Sequence, residues 1–549
     1  MRPSFTWFPA IALVQALVTI AVAGAARAGE ADRAVLRELK APTEPAALIE
    51  HLRAWGGGRD DAPRAAVLIA KLGAETFAER DAAEAELAGW GWPALRFIEP
   101  ATGHDDLEVR ARAQAVIQRI KAFNSVHQRL LSAALRELAE RPAPGGASVL
   151  ADLAPHCLRY EDREAMDRAL EAGVRPADRG GLEERLRSDR GSTRAAAVLA
   201  LGALGRAQGD GQAVDALRVY LTDRDEAVRF AAARALLARD PRACLMPLAE
   251  LLDAEDGRVR RHAVAQLREM TGQHFGYSAV ADPQARREPA MRWRAWVREQ
   301  GGTAPLRTAP TAPPAPLGRV LISLPNKGVV ERDAEGKGVW EWNTLRSVMG
   351  VQGLPGGGRV LCDFHARVVV EFDASGKEVW RKPTPGGAFA VERLTDGNTL
   401  LALVTERQVV ELDRSGAVAW RLAVPGSPSD AHRLANGRTL VALQDVNAVV
   451  EFDAEGKEVW RAAAARPQSV RRLADGSTLI ASATNKVVRL DASGKTVWEA
   501  EVGRPYDAVA LPSGNTLVAT QTGLLELDAQ GKPARPEETI GYVRRLSAY

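Results

Sequence analysis

The C-terminal half of the chain repeats a strand-and-turn pattern six times, at a period of about 40 residues. Each unit has a Gly before a short apolar run, then Val-Val-Glu-x-Asp-x-x-Gly-Lys or a variant of it, then Val-Trp. The repeated glycines are Gly318, Gly358, Gly397, Gly437, Gly476 and Gly514, and the turn aspartates are Asp333, Asp373, Asp413, Asp453, Asp491 and Asp528. Turn signals this regular, at this period, are typical of units that stack around a ring. The pattern predicts a six-bladed all-β propeller over residues 318–549.

The residues at the repeated turns have defined mechanical roles. An Asp side chain can accept hydrogen bonds from the turn amides, and the Gly that follows can adopt a positive φ. A tryptophan stands seven residues after each of the first five aspartates: Trp340, Trp380, Trp420, Trp460 and Trp498. We expect each to lie on the outermost strand of its blade and to pack toward the neighbouring blade. Arg535 takes this position in the sixth copy, so the outer strand of that blade should be frayed.

The last residues of the chain supply a strand that the first repeat lacks. In most repeats a strand precedes the Gly turn, as in the Val-Arg-Arg-Leu segment 470–473, but proline-rich sequence stands there in the first repeat. The chain ends with another Val-Arg-Arg-Leu segment, 543–546. We expect this segment to complete the first blade and so to close the ring.

Upstream of the propeller, apolar residues recur at helical spacing. The phrase Asp-x-x-Val-Arg begins at Asp106, Asp225 and Asp256, and further apolar residues follow four and eight positions after each Val. An Asp at a helix start can accept bonds from the free amides of the first turn, and the apolar spacing forms one stripe on the helix. These helix pairs resemble HEAT repeats, which implies an α-helical solenoid over residues 29–300.

Residues 301–317 contain five prolines among Ala and Thr. This composition favours an extended, semi-rigid spacer. We therefore expect a linker that uncouples the two halves, so that Trp296→Ala in the last helix should leave the melting of the propeller unchanged.

Residues 1–28 have the features of a signal peptide. Arg2 precedes an apolar run from about residue 7 to 23, and Ala26-Arg27-Ala28 places small residues at the positions that signal peptidase reads. The alternative is an uncleaved membrane anchor. The signal-peptide interpretation predicts export to the periplasm or the medium, with no membrane span after cleavage.

Composition argues against several classes of function. The net charge is only +3 over 549 residues, whereas nucleic-acid binders usually concentrate a basic excess. The three cysteines lack CxxC spacing, so we expect buried free thiols rather than a disulfide framework. The eight histidines form no HExxH motif. We expect no nucleic-acid partner and no metal.

The propeller repeats resemble those of PQQ-like, quinoprotein-type proteins and, more closely, those of arylsulfotransferases. The shared feature is a Leu-x-Asn-Gly-Asn-Thr-Leu turn, which reads Leu-Pro-Ser-Gly-Asn-Thr-Leu at 511–517. All six turns here are one residue shorter than the quinoprotein tryptophan motif, so no quinone or other cofactor is expected. The arylsulfotransferase resemblance implies a histidine nucleophile at the central channel, and His432 is the matching residue. The alternative for His432 is a surface position at the channel mouth.

One repeated position is rich in arginine. Just before the inner-strand Leu, an alignment by repeat gives Gly353, Arg393, Arg433, Arg472, Ala510 and Arg545. Four arginines around a ring would concentrate positive potential at one face and could bind carboxylate, sulfate or phosphate groups. The alternative is four independently solvated side chains. The recurrent glutamates Glu371, Glu411 and Glu451 are expected to be structural.

The function that the sequence favours is a non-catalytic, exported scaffold that binds protein partners through its solenoid and propeller surfaces. One alternative is an arylsulfotransferase-like enzyme with His432 at its centre. Another is the binding of small anions or glycans at Arg393, Arg433, Arg472 and Arg545 without turnover. The fold alone does not choose among these, because propellers serve all three functions.

Overall fold

The computed structural model describes residues 32–55, 62–121, 126–157, 160–307, 318–473, 475–511 and 513–549. The chain divides into two compact units, Gly29–Pro247 and Leu248–Tyr549. We call them the helical unit and the propeller unit. The predicted signal peptide and residues 308–317 of the predicted linker lie outside the described residues. Among the residues that are described, no helix has the length and apolar character needed to cross a membrane.

The helical unit consists of helices that range from 6 to 18 residues in length. Residues 32–38 are helical, and the helices that follow are α1 (Pro45–Trp55), α2 (Ala62–Lys71), α3 (Phe77–Trp90), α4 (Trp92–Ile98), α5 (Leu107–Lys121), α6 (Val126–Glu140), α7 (Ala147–Leu153), α8 (Tyr160–Gly173), α9 (Arg179–Arg185), α10 (Gly191–Gln208), α11 (Gly211–Ala216), α12 (Glu226–Leu236) and α13 (Pro241–Glu250). Two further helices, α14 (Gly257–Thr271) and α15 (Pro283–Gln300), belong to the propeller unit, which begins at Leu248 within α13.

The predicted helix caps and apolar stripes are confirmed. The Asp225 carboxylate accepts a hydrogen bond from the Ala227 amide at 2.9 Å, and Asp106 and Asp256 cap their helices in the same way. The stripe behind the Asp225 cap is fully buried at each predicted position: Val228, Ala232 and Leu236. Helix starts and buried faces in this region therefore follow from local sequence.

The propeller has six four-stranded blades. Blade 1 combines β24 (Arg545–Ala548) with β1 (Val320–Leu324), β2 (Gly328–Arg332) and β3 (Gly338–Trp342). Blade 2 has β4 (Val348–Gly353), β5 (Arg359–Asp363), β6 (Val368–Phe372) and β7 (Glu378–Pro383), and blade 3 has β8 (Ala388–Arg393), β9 (Thr399–Leu403), β10 (Gln408–Leu412) and β11 (Val418–Ala423). Blade 4 has β12 (Pro428–Arg433), β13 (Thr439–Leu443), β14 (Ala448–Phe452) and β15 (Glu458–Ala463), and blade 5 has β16 (Pro467–Arg472), β17 (Thr478–Ser482), β18 (Lys486–Leu490) and β19 (Thr496–Glu501). Blade 6 has β20 (Pro505–Ala510), β21 (Thr516–Thr520), β22 (Gly523–Leu527) and β23 (Glu538–Thr539).

The ring closes as predicted. The last strand, β24, runs antiparallel to β1 and pairs Leu546 with Ile322. The outer strand of blade 6 is reduced to two residues, Glu538–Thr539, as the loss of the tryptophan from that copy indicated. Each repeated turn is held by its aspartate, as where Asp373 Oδ1 accepts from the Lys377 amide at 3.0 Å.

Helix α14 and the loop after it pack on the propeller instead of standing apart from it. On α14, Arg268 forms a buried ion pair with Asp396 of blade 3 at 3.4 Å, and Arg261 donates to the Leu434 carbonyl of blade 4 at 3.2 Å. In the loop after α14, Ser278 donates to Glu411 of blade 3. The expectation that the linker uncouples the helices from the propeller is therefore wrong for α14, because its contacts are made by residues that precede the linker. The expected outcome of Trp296→Ala on α15 stays a prediction.

The predicted state of the cysteines is confirmed. Cys157, Cys244 and Cys362 are buried free thiols. Burial raises the pKa of the Cys244 and Cys362 thiols to about 12. Both are therefore uncharged and unreactive at neutral pH.

Candidate functional site: the central channel

The inner strands of the six blades surround a channel, and alternate residues of each strand face its axis. The strand register defines two rings of equivalent residues. The mouth ring is Gln352, Glu392, His432, Arg471, Val509 and Ser547, and the middle ring is Gly350, Ala390, Asp430, Ser469, Asp507 and Arg545. Most of these residues line a cavity of about 250 Å³ that opens at the mouth.

The register of the last strand differs from the alignment by repeat. Arg545 pairs with Ser323 of β1, just as Ala390 pairs with Ala402 in blade 3. Arg545 is therefore equivalent to Ala390, and Ala548 takes the position of Arg393. Matching the two Val-Arg-Arg-Leu segments sets Leu546 against Leu473. In the structure, Leu546 is instead equivalent to Val470, so the alignment shifted the first blade by three residues. The structure thus does not place the four predicted arginines at equivalent positions.

Arg545 crosses the channel and ties several blades together. Its guanidinium lies 3.5 Å from Asp430 of blade 4 and 3.8 Å from Asp507 of blade 6. It also donates to the backbone carbonyls of Met349 in blade 2, at 3.3 Å, and of Ser429 in blade 4. Only 4% of its side chain is exposed. The C-terminal strand therefore closes the ring with a buried ion pair as well as with a backbone ladder.

His432 lies at the mouth between two carboxylates. Its Nδ1 is 3.6 Å from Glu392 and its Nε2 is 3.4 Å from Asp430. Burial would lower the pKa of the imidazole, but these two carboxylates outweigh that effect and raise it to about 9. Burial likewise favours the neutral form of Asp430, and the charges of Arg545 and His432 nevertheless hold the pKa of its carboxyl well below the usual range. At neutral pH, His432 is therefore an imidazolium flanked by anions.

Arg471 completes the charged lining. Its guanidinium lies 3.3 Å from Asp507 and donates to the Leu546 carbonyl at 3.1 Å. Burial acts to lower the pKa of Arg471, but Asp507 and Asp430 together raise it. The mouth and middle rings thus contain three cations (His432, Arg471 and Arg545) and three carboxylates (Glu392, Asp430 and Asp507).

The opposite end of the channel is filled by Arg544. This side chain donates to Gln468 of blade 5 at 2.9 Å. Its guanidinium also lies over Phe389 of blade 3 and Tyr506 of blade 6, at 5.2 and 5.4 Å from the ring centroids. Burial lowers the pKa of Arg544 to about 10, so it remains charged at neutral pH. The consecutive residues Arg544 and Arg545 therefore occupy the channel at different depths.

The other three predicted arginines form clasps between neighbouring blades. Arg433 of blade 4 pairs with Glu411 of blade 3 at 3.0 Å, and both side chains are 2% exposed. Its guanidinium also stacks over Trp420 of blade 3, 4.2 Å from the ring centroid. The same side chain donates to the turn of its own blade, to Gly437 and Thr439. The arginine thus satisfies its charge within the protein.

The clasp recurs in the adjacent blades. Arg393 pairs with Glu371 and stacks over Trp380, and Arg472 pairs with Glu451 and stacks over Trp460. The expected structural role of the recurrent glutamates is borne out by these pairs. The arginines lie away from the channel cavity, so an anion site formed jointly by Arg393, Arg433, Arg472 and Arg545 stays a prediction that this geometry does not favour.

Comparison with known proteins agrees with this architecture. Residues 181–268 match the family model of HEAT repeats, and residues 365–529 match the family model described as outer membrane protein assembly factor BamB. The chain joins HEAT repeats to a PQQ-like propeller. No significant match was found among curated proteins.

Solved structures show likeness to the PQQ-like propeller at low sequence identity. A protein of unknown function from Bacteroides caccae is 17% identical, with a TM-score of 0.37, and covers 42% of this chain and 98% of its own. BamB from Moraxella catarrhalis is 15% identical, with a TM-score of 0.28, and covers 42% and 76%. Virginiamycin B lyase from Staphylococcus aureus is 11% identical, with a TM-score of 0.31, and covers 40% and 73%. At these values the likenesses carry no argument about function.

Sequence reasoning missed the carboxylates of the PQQ-like propeller's channel. Asp430 and Asp507 stand in an inner-strand position that blades 2, 3 and 5 fill with small residues, Gly350, Ala390 and Ser469. A carboxylate at this position, two residues before the mouth-ring residue, is the sequence feature that could have identified the charged lining of the channel. Among the described residues, no group of three or more His, Cys, Asp or Glu side chains is arranged to hold a metal ion.

Proposed function

We propose that this protein is an exported, non-catalytic recognition protein that binds a protein partner through the surfaces of its propeller and its solenoid. The observation that carries the proposal is the state of His432, the one residue that sequence offered as a nucleophile. Both ring nitrogens face carboxylates, and the pKa of the imidazole is raised to about 9. An imidazolium has no free lone pair with which to attack a substrate.

Two further observations support recognition. The arginines and glutamates that recur in the blades are used in clasps, so the repeated polar residues stabilise the ring. The helix α14 extends the propeller face at the turns of blades 3 and 4, which enlarges the surface that a partner could contact. The matched family model is described as an assembly factor, and recognition of another protein is the role that this description suggests for the present chain.

The proposed location follows from the predicted signal peptide at 1–28. Its cleavage would release the HEAT repeats and propeller into the periplasm or the medium. The BamB description of the matched model agrees with a role in the cell envelope.

The proposal can be tested by site-specific photo-cross-linking in the native exported fraction. Pro355 is exposed in the inner turn of blade 2, at the end of the propeller that bears the channel mouth. Val497, with 57% of its surface exposed on the outer strand of blade 5, is the matched control at the rim. We expect a photoreactive residue at Pro355, but not at Val497, to give a protein adduct of defined mass. The absence of any adduct from Pro355 would contradict the proposal.

The enzyme alternative is tested with the same full-length protein. If His432 were a nucleophile, the protein should transfer sulfate from an aryl sulfate to a phenol, and His432→Gln should abolish the transfer. We expect no transfer in either protein. Transfer that depends on His432 would refute the non-catalytic proposal.

A further inference from the structure

The end of the propeller opposite the channel mouth, which we call the far face, has exposed cations around the whole ring. It is formed by the turns between the second and third strands of the blades and by the loops that lead into each next inner strand. Six exposed cations lie in these segments: Lys327, Arg346, Arg367, Arg407, Arg466 and Arg504. Within the described part of the chain, only Arg407 of the six has an ion-pair partner, Asp445 at 3.1 Å. The other five are therefore open to a counter-ion from outside.

The far face has fewer carboxylates than cations. Its turns and loops contain Glu406 and Asp445, and Glu537 lies beside them, where it accepts hydrogen bonds from Thr520 and Thr522. The aspartate turns at the mouth end have a different balance, since each contains one cation and one or two carboxylates. The far face is thus the positive end of the propeller.

Blades 2 to 5 each place one arginine on the far face, by two different routes. The residue just before the third strand differs among these blades and is, in order, Arg367, Arg407, Asn447 and Asn485. Where this residue is asparagine, the arginine comes from the following loop, as Arg466 does where its amide donates to Asn447 Oδ1 at 2.8 Å. What these four blades share is therefore the charge, and not the turn that carries it.

The same four arginines have a backbone conformation that arginine rarely adopts. The φ angles are 50°, 52°, 42° and 47° at Arg367, Arg407, Arg466 and Arg504. Asparagine enters this left-handed region more readily, and Asn447 and Asn485 do so in the equivalent turns of blades 4 and 5. An arginine in this conformation strains the backbone, and such strain is concentrated at functional sites.

We propose that the far face docks on a membrane surface that contains anionic lipids. The six cations come from separate segments around the ring and not from one groove. A linear polymer would reach a few of them at a time, whereas a planar array of phosphate headgroups can face all of them together. Each Lys or Arg near such a surface strengthens binding by about fivefold.

The exposed apolar groups of the far face suit contact with headgroups. Tyr542, in the loop before β24, and Val446, in the turn between β13 and β14, are exposed there. Tyr542 stacks on Tyr506 with 4.7 Å between the ring centroids, and tyrosine is enriched where proteins meet the headgroup region. We expect the far face to lie on the membrane and the mouth end to point away from it. This orientation is independent of the proposed protein partner, which would contact the mouth end near Pro355.

The experiment is a vesicle flotation assay with the protein purified from the exported fraction. The probes are vesicles of phosphatidylcholine alone and vesicles of equal parts phosphatidylcholine and phosphatidylglycerol. We expect the protein to float only with the anionic vesicles, and less of it as salt is raised, because exposed charges are then screened. Equal binding to both kinds of vesicle, or binding to neither, would overturn the inference. Binding to polygalacturonate, a soluble acidic polysaccharide, without binding to vesicles would overturn it as well.

Two variants of blade 2 test which end of the propeller binds. Arg367→Asn removes one cation of the far face, and the turn accepts asparagine, as Asn447 shows. Lys377→Gln removes one exposed cation from the aspartate turn of the same blade, at the mouth end. We expect Arg367→Asn to weaken binding to the anionic vesicles by about fivefold, and Arg367→Asn combined with Arg504→Gln by about 25-fold. Lys377→Gln should leave binding nearly unchanged. If Lys377→Gln weakened binding as much as Arg367→Asn, net charge and not the far face would govern binding, and the inference would be wrong.

Discussion

Replacing Arg545 with methionine should lower the free energy of unfolding of the propeller unit by about 3–5 kcal/mol. The guanidinium of Arg545 faces Asp430 and Asp507, whose side chains are 3% and 0% exposed. Methionine retains the aliphatic part of the side chain, so the loss comes mainly from the guanidinium, through its charge and its hydrogen bonds to the Met349 and Ser429 carbonyls. Without Arg545 the two carboxylates lose their common counter-ion while they remain buried. Denaturant unfolding followed by tryptophan fluorescence measures the effect.

Two matched variants separate this explanation from a general sensitivity of the fold. Arg535→Met removes an arginine that is 57% exposed and pairs with Glu526 at 2.9 Å, and it should cost less than about 1 kcal/mol. Changing Asp430 and Asp507 to asparagine in the Arg545→Met background should restore part of the lost stability, because the two buried carboxylates that Arg545 neutralised are then gone. If Arg545→Met lowered the free energy of unfolding as little as Arg535→Met does, the ion pairs of Arg545 would not contribute to closure of the ring.

Replacing Trp420 with alanine should also destabilise the propeller unit by about 3–5 kcal/mol, as for a large buried aromatic residue. The indole is 8% exposed and belongs to a core that includes Val280, Leu394 and Val441. The change removes this packing and also the aromatic surface under the Arg433 guanidinium. The measurement is again the free energy of unfolding in denaturant.

The clasp at Trp420 can be isolated by comparison with Trp498. That tryptophan is half-buried, and Ala510 stands where a clasping arginine would be. Trp498→Ala should therefore cost clearly less than Trp420→Ala. A double-mutant cycle between Trp420→Ala and Arg433→Met should give a coupling energy of about 1–2 kcal/mol. Additive effects of the two changes would show that the arginine does not stabilise the ring through the tryptophan.

The sequence predicts well those features that depend on local chemistry. The turns held by Asp373 and its equivalents, the helix cap at Asp225, the two-residue outer strand of blade 6 and closure by the C-terminal segment all follow from residue type and spacing. In each case a few adjacent residues determine the backbone conformation, so a repeated pattern is sufficient evidence.

The candidate site was less predictable, because it depends on register and on contacts between distant segments. The first blade is built from the two ends of the propeller sequence, and a pattern as short as Arg-Arg does not fix the register of a strand. The register that forms places Arg545 toward Asp430 instead of beside Arg393. The Trp, Glu and Arg of each clasp recur separately in the sequence, but only the stacking of blades shows that they meet.

The docking of α14 could not be read from the sequence for a similar reason. Arg261 and Arg268 lie on a helix with an ordinary HEAT pattern, where an arginine outside the apolar stripe is usually solvated. Their acceptors are a carboxylate and backbone carbonyls in the turns of blades 3 and 4. Nothing in the local sequence marks a backbone carbonyl as a partner.

The most direct test of the non-catalytic account is an NMR titration of His432. The carbon-bound protons and carbons of the imidazole would be followed between about pH 5 and pH 10, and the His432 signals assigned by their absence from His432→Gln. Because Asp430 and Glu392 stabilise the charged form, the account predicts that the imidazole stays protonated through neutral pH and loses its proton as the pH rises through about 9. A midpoint at or below the ordinary value of 6.5 would contradict it, since His432 would then be neutral and able to act as a nucleophile.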